Sequence, residues 1–256
     1  MPSPKKFCLI ALVIMLAPLG SARSSSATPL LPPAGGQAAA TTETKSDPAQ
    51  PRKAHRPPAR LAALATKSAN PAVYELDSGV QRWYRERGAT TPLSDQPVYC
   101  HGYGCEFQTP IPIDDADLAA LQRIFAGHAA GHPASAADER LAIGEAVRWW
   151  ERKASPLLGG PPRQHGSDIG HAHHPGATDC IDEATNSTTI LVILERHGFL
   201  KHHTVQRPES RGIIVNAHST AIIHEIGGED WAVDMWMHNM GELPDIMTEK
   251  RWMSEA

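Results

Sequence analysis

After Asp179 the apolar positions Ile181, Ala184, Leu191, Val192 and Leu194 recur at three- and four-residue steps, with Thr188 between them, and Gly198 follows as a stop. That pattern predicts an amphipathic helix of about five turns opening at Cys180. Upstream, Leu118, Leu121, Ile124 and Phe125 fall on one side of a helix started by Asp114. A further helix begins at Ser135-Ala-Ala-Asp138, which has the form of a capping box. It carries Leu141, Ile143, Ala146, Val147 and Trp150 on one stripe and stops at Pro156 and Gly159-Gly160-Pro161-Pro162. Tyr74, Leu76, Val80, Trp83 and Tyr84 predict a short helix within residues 74–87. Beyond the Cys180 helix the period changes to two. Residues 203–207 read as a strand ending at Pro208, and residues 212–215 lead through Asn216-Ala217-His218 into a second over 219–226. The turn Gly227-Gly228-Glu229-Asp230 precedes a third over 231–236, with Trp231, Val233 and Met235 on one face and Asp234 on the other. Helices followed by antiparallel strands describe an α+β fold in which the Cys180 helix lies on a sheet.

The two ends of the chain differ in kind. Lys5 and Lys6, an apolar run over residues 7–19 and the small exit Gly20-Ser21-Ala22 make residues 1–22 a secretory signal peptide. The run of 13 residues is short of the roughly 20 that cross a bilayer as a helix. The mature protein is therefore expected to be periplasmic or secreted, with no membrane span after cleavage. Residues 23–71, rich in Pro, Ala and Ser, form a linker with too few large apolar side chains to offset the entropy of ordering. The folded part is expected as a helical region over 72–160 and a core over 161–256. A net charge of -4 with pI near 6.4 leaves no basic footprint for nucleic acid.

Export gives the cysteines meaning, because an oxidising compartment pairs the thiols that can meet. Cys8 leaves with the signal, and Cys100 and Cys105 flank His101-Gly102-Tyr103-Gly104, a Gly-rich stretch able to fold back. If they pair, Cys180 is the odd thiol, at a helix start where the dipole and backbone N–H groups favour thiolate. A small buried hydrophobe is the other role open to it. Cys100, His101 and Cys105 could alternatively hold zinc, although their spacing is not that of a zinc knuckle. The loop over 164–175, with His165, Asp168, His171, His173 and His174, could bind a metal but lacks a fixed helical or hairpin spacing to hold it. Neither a cofactor nor a metal ion is expected at the Cys180 site.

A cysteine nucleophile needs a base and a group to orient that base. Cys180, His218 and Asp234 supply them in order, separated by 38 and 16 residues. Cys at a helix start, His entering a strand as Asn216-Ala217-His218, and Asp closing Trp231-Ala232-Val233-Asp234 after a Gly-rich turn resemble the transglutaminase-like branch of the papain-like superfamily. Asp179-Cys180-Ile181-Asp182-Glu183-Ala184, His218-Ser219-Thr220-Ala221 and Val233-Asp234-Met235-Trp236 also resemble a group of uncharacterised exported bacterial proteins. The resemblance covers residues 178–240 and implies a papain-like core in which Cys180 is nucleophile, His218 general base and acid, and Asp234 orienter. Ser219-Thr220 stand where that branch often has an aromatic residue. Counting from a turn centred on Gly228-Glu229 places Asp234 opposite Ile223 or His224, which makes His224 the competing base unless a bulge shifts the register.

The oxyanion hole is expected from the Cys180 backbone N–H and an upstream donor, for which His173 and His174 are candidates. Asn186 is placed near the site, Asp182 and Glu183 on the helix surface, and Trp236 in the core or the site wall. The expected activity is an exported cysteine-dependent amide hydrolase or acyl transferase acting through a thioester on a peptide, protein or cell-wall amide. The alternatives are an NlpC-like cell-wall peptidase, without the usual Ser-Gly after the cysteine, and a non-catalytic metal- or cell-wall-binding protein of the same fold.

Overall fold

The computed structural model describes residues 74–127, 133–166, 169–212 and 217–255. The expected signal peptide and linker, the strand expected at 213–215 and Asp168 lie outside them. Three helices start where a side chain satisfies the first amides. Asp77 accepts from Gly79 and Val80 to open α1 (Ser78–Arg87), and Asp114 and Asp117 cap each other reciprocally ahead of α2 (Asp115–Gly127). Ser135 accepts from the Asp138 amide to open α3 (Ala136–Ala154). Between α1 and α2 a two-stranded antiparallel ribbon pairs β1 (Val98–His101) with β2 (Phe107–Pro110).

The second half is α4 (Cys180–Arg196) followed by β3 (His203–Arg211), β4 (His218–Glu225), β5 (Asp230–Asp234) and β6 (Asp245–Thr248), an antiparallel sheet in that order, closed by α5 (Glu249–Ser254). The arrangement is α+β. Two local expectations change. β3 does not end at Pro208 but passes through it, and the β3–β4 register shifts between Gln206 and Glu209. Proline has no amide to donate, so a bulge bypasses the missing ladder bond. The β4–β5 turn is also centred earlier than counted, near Gly227. Gly228 N donates to Glu225 O at 2.8 Å and His224 pairs with Asp230, so the ladder runs back through Ala221 opposite Val233 with no bulge.

One apolar core joins the two halves, running from Leu76, Trp83 and Tyr84 through Ile143, Val147 and Trp150 to Leu191, Ile223 and Val233. α4 is its axis, packed on β3, β4 and β5 and touched by β1 and α3. The helix is not amphipathic in use: every residue from Cys180 to Leu194 is buried except the partly buried Ile181. Strand alternation divides the sheet's faces. Ala221, Ile223 and Val233 face the α4 core, while Ile222 and Ala232 pack with Trp252 of α5 in a separate small cluster.

The entry to β3 is held by a buried carboxylate. Glu139 on α3 accepts from the amides of Lys201 at 2.7 Å, His202 at 3.0 Å and His203 at 3.0 Å, and from His203 Nδ1 at 2.9 Å. Burial opposes its ionisation, but His203 and the amides hold its pKa below the ordinary value. Glu139→Ala leaves these buried donors without an acceptor, and we expect a loss of about 3 kcal/mol or more, measured by chemical denaturation.

Candidate functional site

Cys180 is the first residue of α4, with 1% of its surface exposed, and it lies outside the disulfide. The helix start around it is built from a reciprocal capping box. The Asp179 carboxylate accepts from the amides of Ile181 at 3.0 Å and Asp182 at 2.9 Å, and Asp182 returns the bond to Asp179 N at 3.2 Å. The same Asp182 carboxylate reaches the ribbon. It accepts from Tyr103 N at 2.9 Å and from Cys105 N at 2.5 Å, while Gly104 N donates to Asp179. Residues 102–105 all have positive φ, between 63° and 85°, which turns successive amides toward one side. Such a curl is an anion nest, and here its anion is a side chain of α4.

The Cys100–Cys105 disulfide, with Cα atoms 4.5 Å apart, closes that curl at its base. Asn186 docks it from α4 by accepting from Cys100 N at 2.7 Å and donating to Cys100 O at 2.8 Å, as a neighbouring strand would. His101 accepts from Gly176 N at 3.1 Å and bonds Thr109 Oγ1 at 2.8 Å, and burial lowers its pKa. The zinc alternative for this loop is therefore corrected: both thiols are in a disulfide and the imidazole has structural partners. Asp182 and Glu183 are also not on the surface, at 0% and 2% exposure. Burial, then the charge of Asp179, drives the Asp182 pKa well up.

At the margin of the sheet, the first residue of β4 meets the last of β5. His218 Nε2 lies 2.6 Å from Asp234 Oδ2, with exposures of 4% and 6%. The ladder sets Asp234 opposite Thr220 by extension, so His218 is its diagonal neighbour on the same face. Trp252 Nε1 donates to the same Oδ2 at 2.8 Å and Trp236 N to Oδ1 at 3.2 Å. Burial opposes the charge on Asp234, but His218 and these donors outweigh it and hold its pKa below the ordinary value. An ionised Asp234 only accepts, so Nε2 carries the proton and Nδ1 of a neutral ring keeps its lone pair. That Nδ1 is buried and has no hydrogen-bond partner among the described residues. The Trp236 and Trp252 rings pack on the imidazole with centroids 4.6 and 5.5 Å away, so Trp236 is a wall. His224, the competing base, is 40% exposed and bonded to Asp230 at 2.7 Å, away from Asp234.

His218 and Asp234 share the face that α5 covers, whereas α4 lies on the other. The segment that follows β5 is tied to the residues ahead of α4. Trp236 O accepts from Gly166 N at 2.9 Å, and buried Arg163 bridges the same two regions. Its guanidinium donates to His238 O, approaches Glu183 Oε1 to 2.8 Å and lies 3.4 Å from Glu151 Oε2. The Glu183 contact is an ion pair without hydrogen-bond geometry. Glu151, which also accepts from Tyr99 at 2.7 Å, is pushed up to about 8 by burial and then by the Glu183 charge, with Arg163 pulling the other way.

Gly166, Arg163, His165, His171 and His174 line a cavity of about 300 Å³ with Thr178, two residues short of Cys180. His173 instead points to Glu106. No three metal-ligating side chains come together among the described residues, and no described helix is long and apolar enough to cross a membrane.

Two pH dependences follow. Asp234 has a folded pKa below its unfolded value, so its contribution is full above about pH 4 and is lost as pH falls through the folded pKa. Asp234→Asn should cost about 2 kcal/mol at neutral pH, and its denaturation curve should converge on that of the parent in acid. Glu151 has the opposite sign. Between its unfolded value near 4.3 and its raised folded value the unfolded chain binds fewer protons, so stability falls as pH rises through that window. Glu151→Gln should flatten that slope between about pH 5 and about pH 8; parallel curves would contradict the assignment. No protein-family model, curated protein or solved structure matches the chain.

Proposed function

We propose that the protein is an exported cysteine-dependent amide hydrolase or acyl transferase working through a thioester on Cys180. The observation that carries this reading is the buried His218–Asp234 pair, whose Nδ1 has no described partner, on strands whose continuation Arg163 ties through His238 O to Glu183 in the first turn of α4. His218 Nδ1 takes the proton from Cys180 Sγ as sulfur attacks the amide carbonyl, and Asp234 stays ionised and orients the ring. The Cys180 backbone N–H stabilises the oxyanion. Collapse breaks the C–N bond, and His218 returns the proton to the departing amine. Water then hydrolyses the thioester, or a second amine takes the acyl group, again deprotonated by His218. Peptide, protein or cell-wall amides are the substrates of this scheme. The signal-like N-terminus and the Cys100–Cys105 disulfide support export.

The 1% exposure of Cys180 favours one competing role, a thiol that only packs the helix start in a non-catalytic binding protein. One experiment separates them. Iodoacetamide at neutral pH, followed by peptide mass spectrometry, should label Cys180 in the folded protein about tenfold faster than glutathione. His218→Ala should remove that advantage and His224→Ala should keep it. Labelling no faster than glutathione sinks the nucleophile, and a loss confined to His224→Ala moves the base to His224.

A further inference from the structure

The cavity ahead of α4 has a composition of its own. Gly176, Ala177 and Thr178, the segment that runs into Cys180, line it. Its walls are Pro161, Pro175 and Tyr103, with the exposed imidazoles of His171 and His174 at the rim, edge to face with centroids 5.9 Å apart. The walls are set by a crossing with no slack. Gly160 passes so close to the Pro175 carbonyl that a Cβ there has no room, and a Cβ on Gly176 would come within 3.3 Å of Pro161 O. A cavity framed in this way is formed before any ligand arrives, and its size is at the lower end of small-ligand sites.

Charge limits what it can take. Among the described lining residues Arg163 is the one permanently charged group, and no carboxylate is present. Its side chain is 3% exposed and its charge is matched by Glu183 and Glu151. No carboxylate lines the described wall to pair with an ammonium, and its one permanent cation is already matched by two carboxylates, so a charged group would lose hydration without an ion partner of fixed charge. Prolines, a phenol and imidazoles instead offer flat faces to an uncharged ring.

We infer that this cavity is the subsite for an uncharged aromatic or similarly flat apolar group next to the reacting carbonyl, which makes it the specificity pocket of the Cys180 site. The inference rests on the proposed thiol chemistry, and its test reads ratios between reagents and not the absolute rate at which the thiol reacts. Cys180 is alkylated with N-benzyl iodoacetamide, iodoacetamide and iodoacetate, and each rate is divided by the corresponding rate for glutathione. The benzyl reagent should be favoured over iodoacetamide by about fivefold beyond the glutathione ratio, the size of one aromatic contact, and iodoacetate should be disfavoured.

His174→Ala, a change at an exposed position, should bring the benzyl ratio toward the glutathione value, and His174→Phe should keep it. A glutathione-like ratio in the parent, or a preference for iodoacetate, overturns the inference while leaving the nucleophile intact. Slow labelling with a high benzyl ratio sinks the nucleophile and keeps the pocket. No labelling of the folded protein overturns both.

Discussion

Burying the polar side of α4 is the constraint that the rest of the fold answers. A helix at the centre of a domain ordinarily carries apolar residues all round, whereas this one takes Asp182, Glu183, Thr185, Asn186, Thr188 and Thr189 inside. Each would cost about 1–3 kcal/mol if left unmatched. Thr185 accepts from Trp83 Nε1 at 2.9 Å, and Thr189 bonds the Tyr84 hydroxyl at 2.8 Å, which fixes α1 against one flank. Thr188 turns back to the Ala184 carbonyl at 2.6 Å. Asn186 takes both backbone groups of Cys100, and Glu183 takes Arg163. The elements before and after the helix are thus recruited by its polar residues as much as by its leucines and isoleucines.

The same constraint ties the thiol's position to a distant loop. Asp182 sits two residues from Cys180 and is held by amides of the 102–105 curl. Tyr103 and Cys105 adopt left-handed backbone there, a conformation that costs a non-glycine residue free energy and persists only when its surroundings demand it. The demand comes from the carboxylate inside the nest and the disulfide beneath it. The ribbon also meets the segment before α4 directly: Gly102 N donates to Ala177 O at 2.6 Å. Cys180 therefore inherits its place from both sides, from the helix it opens and from the loop that closes on that opening.

What could be read in the sequence were the features set by neighbouring residues. The helix starts at Asp114, Ser135 and Cys180, the turn before Trp231 and the split of Val233 from Asp234 across the sheet all follow from periodicity and caps. The features set by distant residues were hidden. Nothing local distinguishes a surface Asp182 from one enclosed by a loop about 80 residues earlier in the chain. The Asp-x-x-Asp spacing of Asp179 and Asp182 is the local signal for the capping box. Pro208 looked like a strand end because a lone proline does not reveal a bulge. The resemblance pairs His218 with Asp234, while the hairpin count points at His224. A turn placed nearer Gly227 would have removed the conflict. Trp252 as a second donor to Asp234 had no sequence signal, since it arrives from a helix 18 residues later.

The charge around the helix start narrows how the proposed thiol chemistry can work. A helix N-terminus favours a thiolate through its exposed amides and dipole, but here the Ile181 and Asp182 amides already donate to Asp179. Asp182 and Glu183 stand in the first turn, buried, and each further negative charge there opposes a thiolate. Burial and the Asp179 charge raise the Asp182 pKa, the amides of Tyr103 and Cys105 engage its carboxylate, and Arg163 offsets Glu183. With its first amides engaged and three buried carboxyl groups beside it, the helix start is not strongly positive. A thiolate at Cys180 needs a cation of its own, formed in the same step as itself, and in the proposed chemistry protonated His218 would be that cation. Asp234 matters because it keeps that ring's other nitrogen engaged. The chemistry proposed here depends on an imidazolium–thiolate pair more than on the helix dipole with which the thiol is aligned.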